Sequence, residues 1–447
     1  MSLIKPFRAL RPAPGRAAEV LAPPYDVLSS AEARERAKGK PWSFLHVSKA
    51  EIDLPPATDP YDRAVYAKAA ENLRRMIDAR VLIRDDKPCY YVYRLTWRGH
   101  VETGLAAVAS LEAYANNRIR KHELTTPAKE DDRVRQIEAV NAQTGPVMLA
   151  YPMAPQIDAL LAQAAAGAAA IDATADDGVR HQLWVIADAA AIEGLTRAVD
   201  ALPALYIADG HHRSAAALRV AARFQAERKP VSRPESAPTL NAGTRSDAKP
   251  VSTFAERIPA RGGEGAHAYF LAVLFPQGEM TILDYNRVLR DLNGRSPQAI
   301  LAELRARYAV EASKEPVRPG AAGEAAMFLS GRWYRLTLRA EYMAAATQSA
   351  DPIDVLPITL LTRNVIEPVF GVTDPRTDKR IDFVGGGRGL EELERLVTSG
   401  DFAVAFALYP TQMRDLMAVA DAGKIMPPKS TWFEPKLADG MVSHVLD

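Results

Sequence analysis

The sequence predicts a mixed α/β (α+β) fold in which two halves share one site, and three observations lead to this prediction. Short apolar runs alternate with helical patterns between residues 147 and 227, in the order strand, helix, strand, helix, strand, helix. Apolar runs at 268–275 and 402–408 have the length and composition of buried strands. The segment 425–436 is apolar and aromatic, so we expect it to dock on the body of the protein.

The composition is that of a globular protein without a general nucleic-acid surface. The chain of 447 residues exceeds one ordinary core, so two domains or one large elaborated domain are expected. Its 56 basic and 55 acidic residues nearly cancel, which argues against nucleic acid as a partner. The single Cys89 excludes an internal disulfide. No signal-peptide pattern and no apolar run of membrane-spanning length is visible, so we expect a cytoplasmic protein with no membrane partner.

The first 143 residues are predicted to contain an arm, three helices, a lone strand and a hairpin. The arm is rich in proline, and its apolar side chains need burial, so we expect it to lie on the body. We interpret His46, inside the lone strand, as a core histidine with satisfied hydrogen bonds. The predicted elements are the arm 1–28, helices at 31–38, 61–80 and 129–143, the strand 42–47, and hairpin strands at 89–97 and 103–112.

The middle of the chain is predicted to be α/β-like, and the second half to be α+β. The middle contains strands at 147–151, 182–187 and 205–208 with helices at 154–170, at 189–201 and from Ser214 onward. The second half contains strands at 268–275 and 281–285 paired as a hairpin, strand material at 327–338, a strand at 402–408, and helices at 297–307, 354–364 and 412–422. Between them, residues 229–265 lose all periodicity, which predicts a flexible loop or linker, either a mobile lid or a disordered insertion. We therefore divide the chain into a catalytic half (1–228), this linker (229–265) and a C-terminal half with a docking tail (266–447).

The stretch 204–217, ALYIADGHHRSAAA, predicts a phosphate-binding site. A short apolar strand ends at Asp209, a tight turn follows, and an alanine-rich helix begins near Ser214. A helix N-terminus offers free N–H groups and a partial positive charge, and two imidazoles and a guanidinium add to its attraction for an anion. The candidate phosphate ligands are Gly210, His211, His212, Arg213 and Ser214. The structural alternative is an Asp-Gly turn followed by a solvated basic turn.

A second group of polar residues, at 121–127, offers a candidate general base. Glu123 follows the predicted hairpin and is flanked by His122 and three basic residues. Phosphorylation of an alcohol requires a group that takes the hydroxyl proton, and a carboxylate can do so. Lys429, Ser430 and Thr431 in the tail provide a third set of donors. A charged surface loop is the alternative for 121–127, but the three groups together suit phosphoryl transfer, in which catalysis is mainly positioning and charge neutralisation.

Other kinds of site are less well supported by the sequence. No Walker A pattern, paired cysteines or H-E-x-x-H motif is present. His211 and His212 are adjacent on a short turn, and we see no third histidine or carboxylate spaced to join them, so no zinc site is expected. The glycine run at 385–389 could hold a phosphate, but a flexible turn with a glycine cap is the simpler interpretation.

Four motifs together resemble one bacterial family, catalogued as domain of unknown function 1015. They are APPYDV (22–27), RKHELT (120–125) with PAKEDDR (127–133), ADGHHRSAAA (208–217) and MPPKSTWFEPKL (426–437), and they span nearly the whole chain. The ADGHHR element also resembles the phosphate motif of the ParB-like superfamily, which includes ParB nucleotide-binding domains and the free-serine kinases, SerK. This resemblance implies a ParB/SerK-like fold for residues 1–228.

The same resemblance implies a nucleotide-dependent kinase that makes O-phosphoserine from free L-serine, with ATP or ADP and Mg²⁺ as cofactors. In the free-serine kinases a glutamate N-terminal to the D-G-H-x-R motif acts as base, and Glu123 matches that position. Asp209 would interact with Mg²⁺ or with the hydroxyl group of the substrate. His122 is a further catalytic candidate. The candidate substrate-binding residues are Tyr25, Asp26 and Arg133. The interval from Glu123 to Asp209 is longer than in the compact kinases, and the C-terminal half has no counterpart there.

Two other functions remain open at this point. One is a ParB-like nucleotide-binding regulatory protein or nuclease, although we find neither a helix-turn-helix nor a basic excess. The other is a phosphoserine-linked phosphatase in which Glu123 activates water. Dependence on a nucleotide would separate the kinase from the phosphatase. The resemblance implies a nucleotide and a small hydroxy amino acid as partners, and the oligomeric state stays open.

Overall fold

The computed structural model describes residues 2–228 and 265–447, and these residues form a mixed α+β fold with four sheets. The predicted fold class is therefore confirmed. The strands are β1 (Ile4–Lys5), β2 (Ala9–Pro12), β3 (Leu82–Arg84), β4 (Tyr90–Trp97), β5 (His100–Ser110), β6 (Ile119–Arg120), β7 (Ala142–Gln143), β8 (Val147–Tyr151), β9 (Ile171–Thr174), β10 (Arg180–Ile186), β11 (Leu205–Asp209), β12 (Tyr269–Pro276), β13 (Thr281–Leu283), β14 (Tyr285–Leu289), β15 (Tyr308–Ser313), β16 (Glu324–Leu329), β17 (Arg332–Leu338), β18 (Ile381–Gly385), β19 (Val404–Leu408), β20 (Trp432–Glu434) and β21 (Ser443–Val445).

The helices cover the two large sheets and the N-terminal arm. They are α1 (Ala17–Val20), α2 (Ser30–Ala37), α3 (Leu45–Ser48), α4 (Arg63–Asp78), α5 (Leu111–Ala115), α6 (Pro127–Val140), α7 (Pro155–Ala164), α8 (Ala189–Asp200), α9 (His211–Arg228), α10 (Pro297–Leu304), α11 (Ala340–Thr347), α12 (Pro357–Leu361), α13 (Glu367–Phe370), α14 (Leu390–Thr398) and α15 (Met413–Asp421). None of these helices has both the length and the apolar character needed to cross a membrane.

The first large sheet takes strands from both sides of the predicted linker. Its order is β6-β11-β8-β12-β5-β4-β10-β9, with β1 added beside β5. Strand β12 lies between β8, to which it is parallel, and β5, to which it is antiparallel. The first large sheet therefore extends across the predicted division at 229–265, and that division stays a prediction. The linker itself, apart from Gly265, lies outside the described residues.

The second large sheet, β15-β17-β16-β19-β14-β18, shares a buried cluster with the first. That cluster includes Tyr93 of β4 and Val273 of β12 from the first sheet, and Met327 of β16 and Phe406 of β19 from the second. The outer face of the first sheet is covered by α7 and α8, and the outer face of the second by α14. Apolar burial thus runs continuously from one sheet to the other, which holds the two sheets together.

The β4–β5 hairpin shows why local sequence predicted some elements well. Arg98 and Gly99 form its two-residue turn with φ angles of +50° and +82°. A turn with positive φ at both central positions matches the twist of the flanking strands, and glycine adopts this conformation without strain. The predicted antiparallel hairpin is therefore confirmed.

Two strand predictions are wrong. Residues 42–47 contain the start of helix α3, because a short, mostly buried run has no clear period that distinguishes helix from strand. His46 does have satisfied hydrogen bonds, with its Nδ1 2.8 Å from Asp53 Oδ1. Residues 281–285 do not pair with β12, since both edges of β12 are already occupied. Instead β13 pairs with β20 of the tail, and β14 pairs with β18 and β19.

The tail docks as the sequence predicts, and it crosses both halves. Strand β20 pairs with β13, and β21 lies between β2 and β7 in a small sheet. The side chains of Phe433, Leu437, Met441 and Val442 are buried. The chain end is therefore part of the core, and it brings its polar residues to the site described next.

Candidate functional site

The pairing of β6 with β11 brings the two predicted polar groups together. The strands are parallel, with Ile119 opposite Leu205 and Arg120 opposite Tyr206. Because parallel neighbours end at the same edge of a sheet, the loop after β6 and the turn after β11 lie side by side. His122 and Glu123 therefore reach the N-terminus of α9.

The turn at Gly210 allows the chain to pass directly from β11 into α9. Its φ is +100°, and a Cβ atom there would lie 3.1 Å from the Arg213 guanidinium and 3.3 Å from Val147 Cα. Both the backbone angle and the close packing therefore require glycine. Helix α9 begins at His211, three residues earlier than the sequence suggested.

Asp209 at the end of β11 is held between two cations. Its Oδ2 lies 3.4 Å from Arg213 Nη2 and 3.3 Å from Lys436 Nζ. Burial alone would raise the pKa of this carboxyl, but Lys436 and Arg213 outweigh burial and hold the pKa of Asp209 below its ordinary value. Burial opposes the charge of Lys436 as well, and Asp209 more than compensates, so the pKa of Lys436 is raised. All three groups are therefore charged at neutral pH.

Glu123 lies at the mouth of the pocket with 45% of its side chain exposed. Desolvation on its inner side raises its pKa, Lys429 opposes the shift, and Asp209 adds to it. A carboxylate whose pKa lies above the ordinary value is a stronger base than a free glutamate, so Glu123 is suited to accept a proton.

The three histidines of the site are neutral at neutral pH. Burial lowers the pKa of His122 to about 4, although the Ile207 backbone and Asp209 oppose the shift. Burial lowers the pKa of His211 well below its usual range, and the neighbouring His122 lowers it further. Burial and Lys129 bring the pKa of His212 to about 4. The positive charge of the site therefore comes from lysine and arginine side chains.

The tail loop 427–431 closes the site from the opposite side. Lys429 adopts a φ of +56°, and its carbonyl accepts a 2.9 Å hydrogen bond from Arg287 Nη2. The Ser430 hydroxyl donates to the Pro427 carbonyl at 2.6 Å. The Ser430 carbonyl in turn accepts a 2.8 Å hydrogen bond from the Thr411 hydroxyl. These bonds fix the loop so that Lys429 faces the pocket.

A cavity of about 150 Å³ results, and twelve of the predicted site residues line it. They are Tyr25, Asp26, His122, Glu123, Asp209, Gly210, His211, His212, Arg213, Lys429, Ser430 and Thr431. The lining contains four basic side chains, including Lys129 and Lys436, and three carboxylates. The structure therefore assembles the three groups of polar residues into one pocket.

Two predicted site residues lie outside this pocket. Ser214 is fully buried, and its hydroxyl donates to the His211 carbonyl at 3.0 Å, which stabilises the first turn of α9. Arg133 stacks its guanidinium 3.7 Å from the centre of the Tyr25 ring and pairs with Asp132 at 2.6 Å. Arg133 lines an adjoining cavity of about 230 Å³, which shares Tyr25, Asp26, Lys129 and His212 with the first cavity.

Sequence reasoning missed two basic residues of the pocket, Lys129 and Lys436. Lys436 lies in the tail motif MPPKSTWFEPKL, so the motif was a usable signal, but only its first lysine was selected. Lys129 is one of several charges in α6, and nothing in the sequence distinguishes it from its solvated neighbours. Only the packing of α6 beside α9 reveals its position.

The fold and the pocket define a mixed α+β protein with a cation-lined site at a strand–helix junction. The chain belongs to the family described as "Protein of unknown function (DUF1015)", whose profile matches residues 4–359. The tail residues Lys429 and Lys436 lie beyond the matched range. No curated protein matches the chain.

Several solved structures are distantly similar to this chain. One, "Free serine kinase in complex with AMP", is 10% identical, covers 73% of this chain and 86% of its own, and has a TM-score of 0.31. "SbnI with C-terminal truncation from Staphylococcus aureus" is 10% identical, with coverages of 75% and 85% and a TM-score of 0.35. A conserved hypothetical protein from Pyrococcus furiosus is 12% identical, with coverages of 75% and 93% and a TM-score of 0.31. TM-scores this low establish no shared roles.

Proposed function

We propose that this protein transfers a phosphoryl group from a nucleotide, ATP or ADP, to the hydroxyl of free L-serine or a similar hydroxy amino acid. One observation carries the proposal: Glu123, a carboxylate with a raised pKa, lies in the same pocket as four cationic side chains. The resemblance of the motifs around Glu123 and Asp209 to those of free-serine kinases makes serine the first acceptor to test.

In the proposed reaction, Glu123 takes the proton of the acceptor hydroxyl while the hydroxyl oxygen attacks the terminal phosphorus of the nucleotide. The bond from that phosphorus to the bridging oxygen breaks, and the shortened nucleotide leaves with the electron pair. The reaction requires a base within reach of the hydroxyl and little other covalent chemistry from the protein. The raised pKa of Glu123 supports this role.

Charge neutralisation is assigned to Arg213, Lys429, Lys436 and Lys129. Phosphate oxygens bind well to groups that are already oriented, because no reorganisation is then needed as charge develops. Arg213 and Lys436 are held by Asp209, and Lys429 is held by the tail loop. Asp209 therefore acts in this proposal as the group that orients two of the cations.

The cavity sizes support two adjoining subsites. Ligand pockets usually reach about 300–1,000 Å³, so neither cavity alone would hold a nucleotide and an acceptor together. The two cavities, of about 150 and 230 Å³, share the lining residues Tyr25, Asp26, Lys129 and His212. Reaction would occur at Glu123, with the remainder of the larger substrate extending past Tyr25 and Asp26.

Mg²⁺ is proposed to bind together with the nucleotide phosphates. Besides these phosphates, such an ion usually needs only one or two protein carboxylates. Oδ2 of Asp209 is shared between Arg213 and Lys436, so its other oxygen, Oδ1, would hold the ion. Asp26 lines the same pocket and offers a second carboxylate. When bound, Mg²⁺ would neutralise phosphate charge.

The decisive experiment is a product assay on the full-length protein. Phosphorus NMR of a mixture with Mg²⁺, ATP or ADP, and L-serine should show nucleotide-dependent O-phosphoserine. The Glu123→Gln variant should lose turnover and keep its nucleotide affinity, because it retains the shape of the side chain but not its basicity. Nucleotide binding without product from any hydroxy amino acid would favour a ParB-like regulatory role. Release of phosphate from O-phosphoserine without nucleotide would establish the phosphatase instead.

A further inference from the structure

The strongest feature that the proposed reaction leaves unexplained is a cluster of three potential metal ligands. His122, Glu123 and His211 each direct one ligand atom into a common space, and these atoms lie within 4.8 Å of one another. The two imidazole rings meet edge to face, with centroids 4.5 Å apart and planes at 87°. No zinc site is expected from the sequence, because His211 and His212 are adjacent on one short turn and no third ligand is spaced to join them; the fold instead brings His122 and Glu123 beside His211.

The surrounding fold holds the cluster in place. The parallel pairing of β6 and β11 puts the two histidines at the same edge of the sheet. The tail fixes the loop after β6, since the Met426 N–H donates to the His122 carbonyl at 2.8 Å. His211 begins α9 directly after the turn at Gly210, so its position is set by the helix. Two ligands of the cluster are therefore preorganised, which favours metal binding.

The side chain of His122 gives the clearest indication that the cluster binds a ligand. His122 is only 2% exposed, and its ring is approached by the Ile207 backbone. Within residues 2–228 and 265–447, neither ring nitrogen has a hydrogen bond of ordinary distance and angle. An unsatisfied buried polar group is unfavourable, so native proteins rarely retain one without a reason. A ligand that accepts the lone pair of the imidazole removes the part of this cost that belongs to the unprotonated nitrogen.

His211 and Glu123 are only weakly held by each other and by the loop. His211 Nδ1 lies 3.8 Å from Glu123 Oε2, which is beyond hydrogen-bond distance. Its Nε2 receives the His122 N–H at 3.5 Å, the outer limit for a hydrogen bond. A metal ion would therefore displace no strong interaction at either side chain.

We propose that His122, His211 and Glu123 form a binding site for a divalent metal ion of the Zn²⁺ class. Two imidazoles and one carboxylate prefer such ions over Mg²⁺, which favours oxygen ligands. Bonds of about 2.0–2.2 Å to the metal would require the ligand atoms to move closer, and the half-exposed Glu123 side chain has the freedom to do so. Three protein ligands leave a fourth position open to water or substrate.

This proposal goes beyond the kinase proposal and does not rest on it. It does have a consequence for Glu123, because a carboxylate oxygen bound to a metal cannot take a proton from a substrate. Zn²⁺ at this position and the general-base role of Glu123 therefore exclude each other, and an ion of this class should inhibit any reaction that uses Glu123 as base.

The test is a titration of the metal-free, full-length protein with Co²⁺, without nucleotide or serine. Co²⁺ substitutes for Zn²⁺ and gives visible absorption that reports its coordination. We expect one Co²⁺ per chain, displacement by Zn²⁺, and no displacement by a large excess of Mg²⁺. Absence of stoichiometric binding would overturn the proposal, whatever the product assay shows.

The variants test the three ligands separately. Glu123→Ala changes an exposed side chain and should keep the fold, so its Co²⁺ affinity is the cleanest readout; we expect it to fall by at least about tenfold. His122→Asn should weaken binding further and change the visible spectrum. His181→Gln is the matched control, since His181 is a buried histidine hydrogen-bonded to Tyr93, outside the cluster. Unchanged affinity in Glu123→Ala, or equal losses in the His181→Gln control, would contradict the assignment.

Discussion

Glu123 combines an exposed position with a raised pKa, which is the combination that a general base needs. If Glu123 is the base, as proposed, it acts only when deprotonated, so the rate should increase as the pH rises through the pKa of Glu123. We expect the midpoint of this acidic limb of kcat to lie above the ordinary pKa of glutamate. A pH–rate profile of O-phosphoserine formation measures it. The limb should be absent from any residual activity of Glu123→Gln and unchanged in Glu341→Gln, an exposed glutamate on α11.

Lys436 is one of two tail residues, together with Lys429, that contribute positive charge to the pocket. Lys436→Met keeps the length and the apolar stem of the side chain but removes one of the two cations that neutralise Asp209. Asp209 would then be less completely neutralised and the pocket would hold one positive charge fewer, so nucleotide binding should weaken by about 1.5–3 kcal/mol. Isothermal titration calorimetry measures this loss. Lys314→Met, at an exposed position in the second half, is the control, and equal affinities in the two variants would remove Lys436 from the site.

At the scale of elements, strand β14 positions the tail loop through Arg287. This side chain is buried, burial lowers its pKa to about 9, and it donates to the carbonyls of Pro428 and Lys429 at 3.1 and 2.9 Å. A guanidinium that is buried against carbonyl groups serves geometry more than charge pairing. Strand β14 of the second sheet therefore holds the loop that presents Lys429.

Arg287→Met should loosen this loop without touching the reacting groups. The two carbonyls lose their donor, so we expect a loss of about 1–3 kcal/mol in the free energy of unfolding. The KM for nucleotide should rise more than kcat falls, because Lys429 is less well placed while Glu123 keeps its position. Steady-state kinetics separates the two effects. Arg290→Met, a half-exposed residue just after β14, should change neither parameter, and a pure kcat effect in Arg287→Met would contradict a positioning role.

At the scale of the whole molecule, buried histidines couple the stability of the fold to pH. Burial lowers the pKa of His122, His181 and His444 to about 4, well below the ordinary value of about 6.5. Between these two values the unfolded chain binds more protons than the folded chain. Their contribution to stability is therefore present above pH 6.5 and is lost as the pH falls toward 4.

The His181→Gln variant isolates one such contribution. Relative to this variant, the wild-type protein should lose about 2 kcal/mol in the free energy of unfolding between pH 7.5 and pH 5. Urea unfolding at the two pH values measures the difference. Tyr93→Phe removes the 2.8 Å hydrogen bond to His181 Nδ1 but keeps the imidazole, so its pH dependence should stay close to that of the wild type. Parallel pH profiles for wild type and His181→Gln would contradict this origin.

The sequence by itself determined the features that depend on neighbouring residues. The β4–β5 hairpin follows from two apolar runs around a glycine turn, and the strand–turn–helix of residues 205–228 follows from an apolar run, Gly210 and an alanine-rich segment. The docking of the tail follows from its apolar composition, since exposing it to water would be unfavourable. Most of the pocket-lining residues could be predicted because they lie in the same motifs.

Only the tertiary structure decided which distant segments meet. Lys436 pairs with Asp209 across 227 positions of sequence, and the His122 backbone contacts His211 across 89. The failure of 281–285 to pair with β12 has the same origin, because strand partners depend on which edges other segments have already filled. Local propensity and periodicity act over one or two turns of chain, whereas such contacts arise from the packing of whole sheets. The charge balance of the pocket and its histidine–glutamate cluster are therefore properties of the folded molecule.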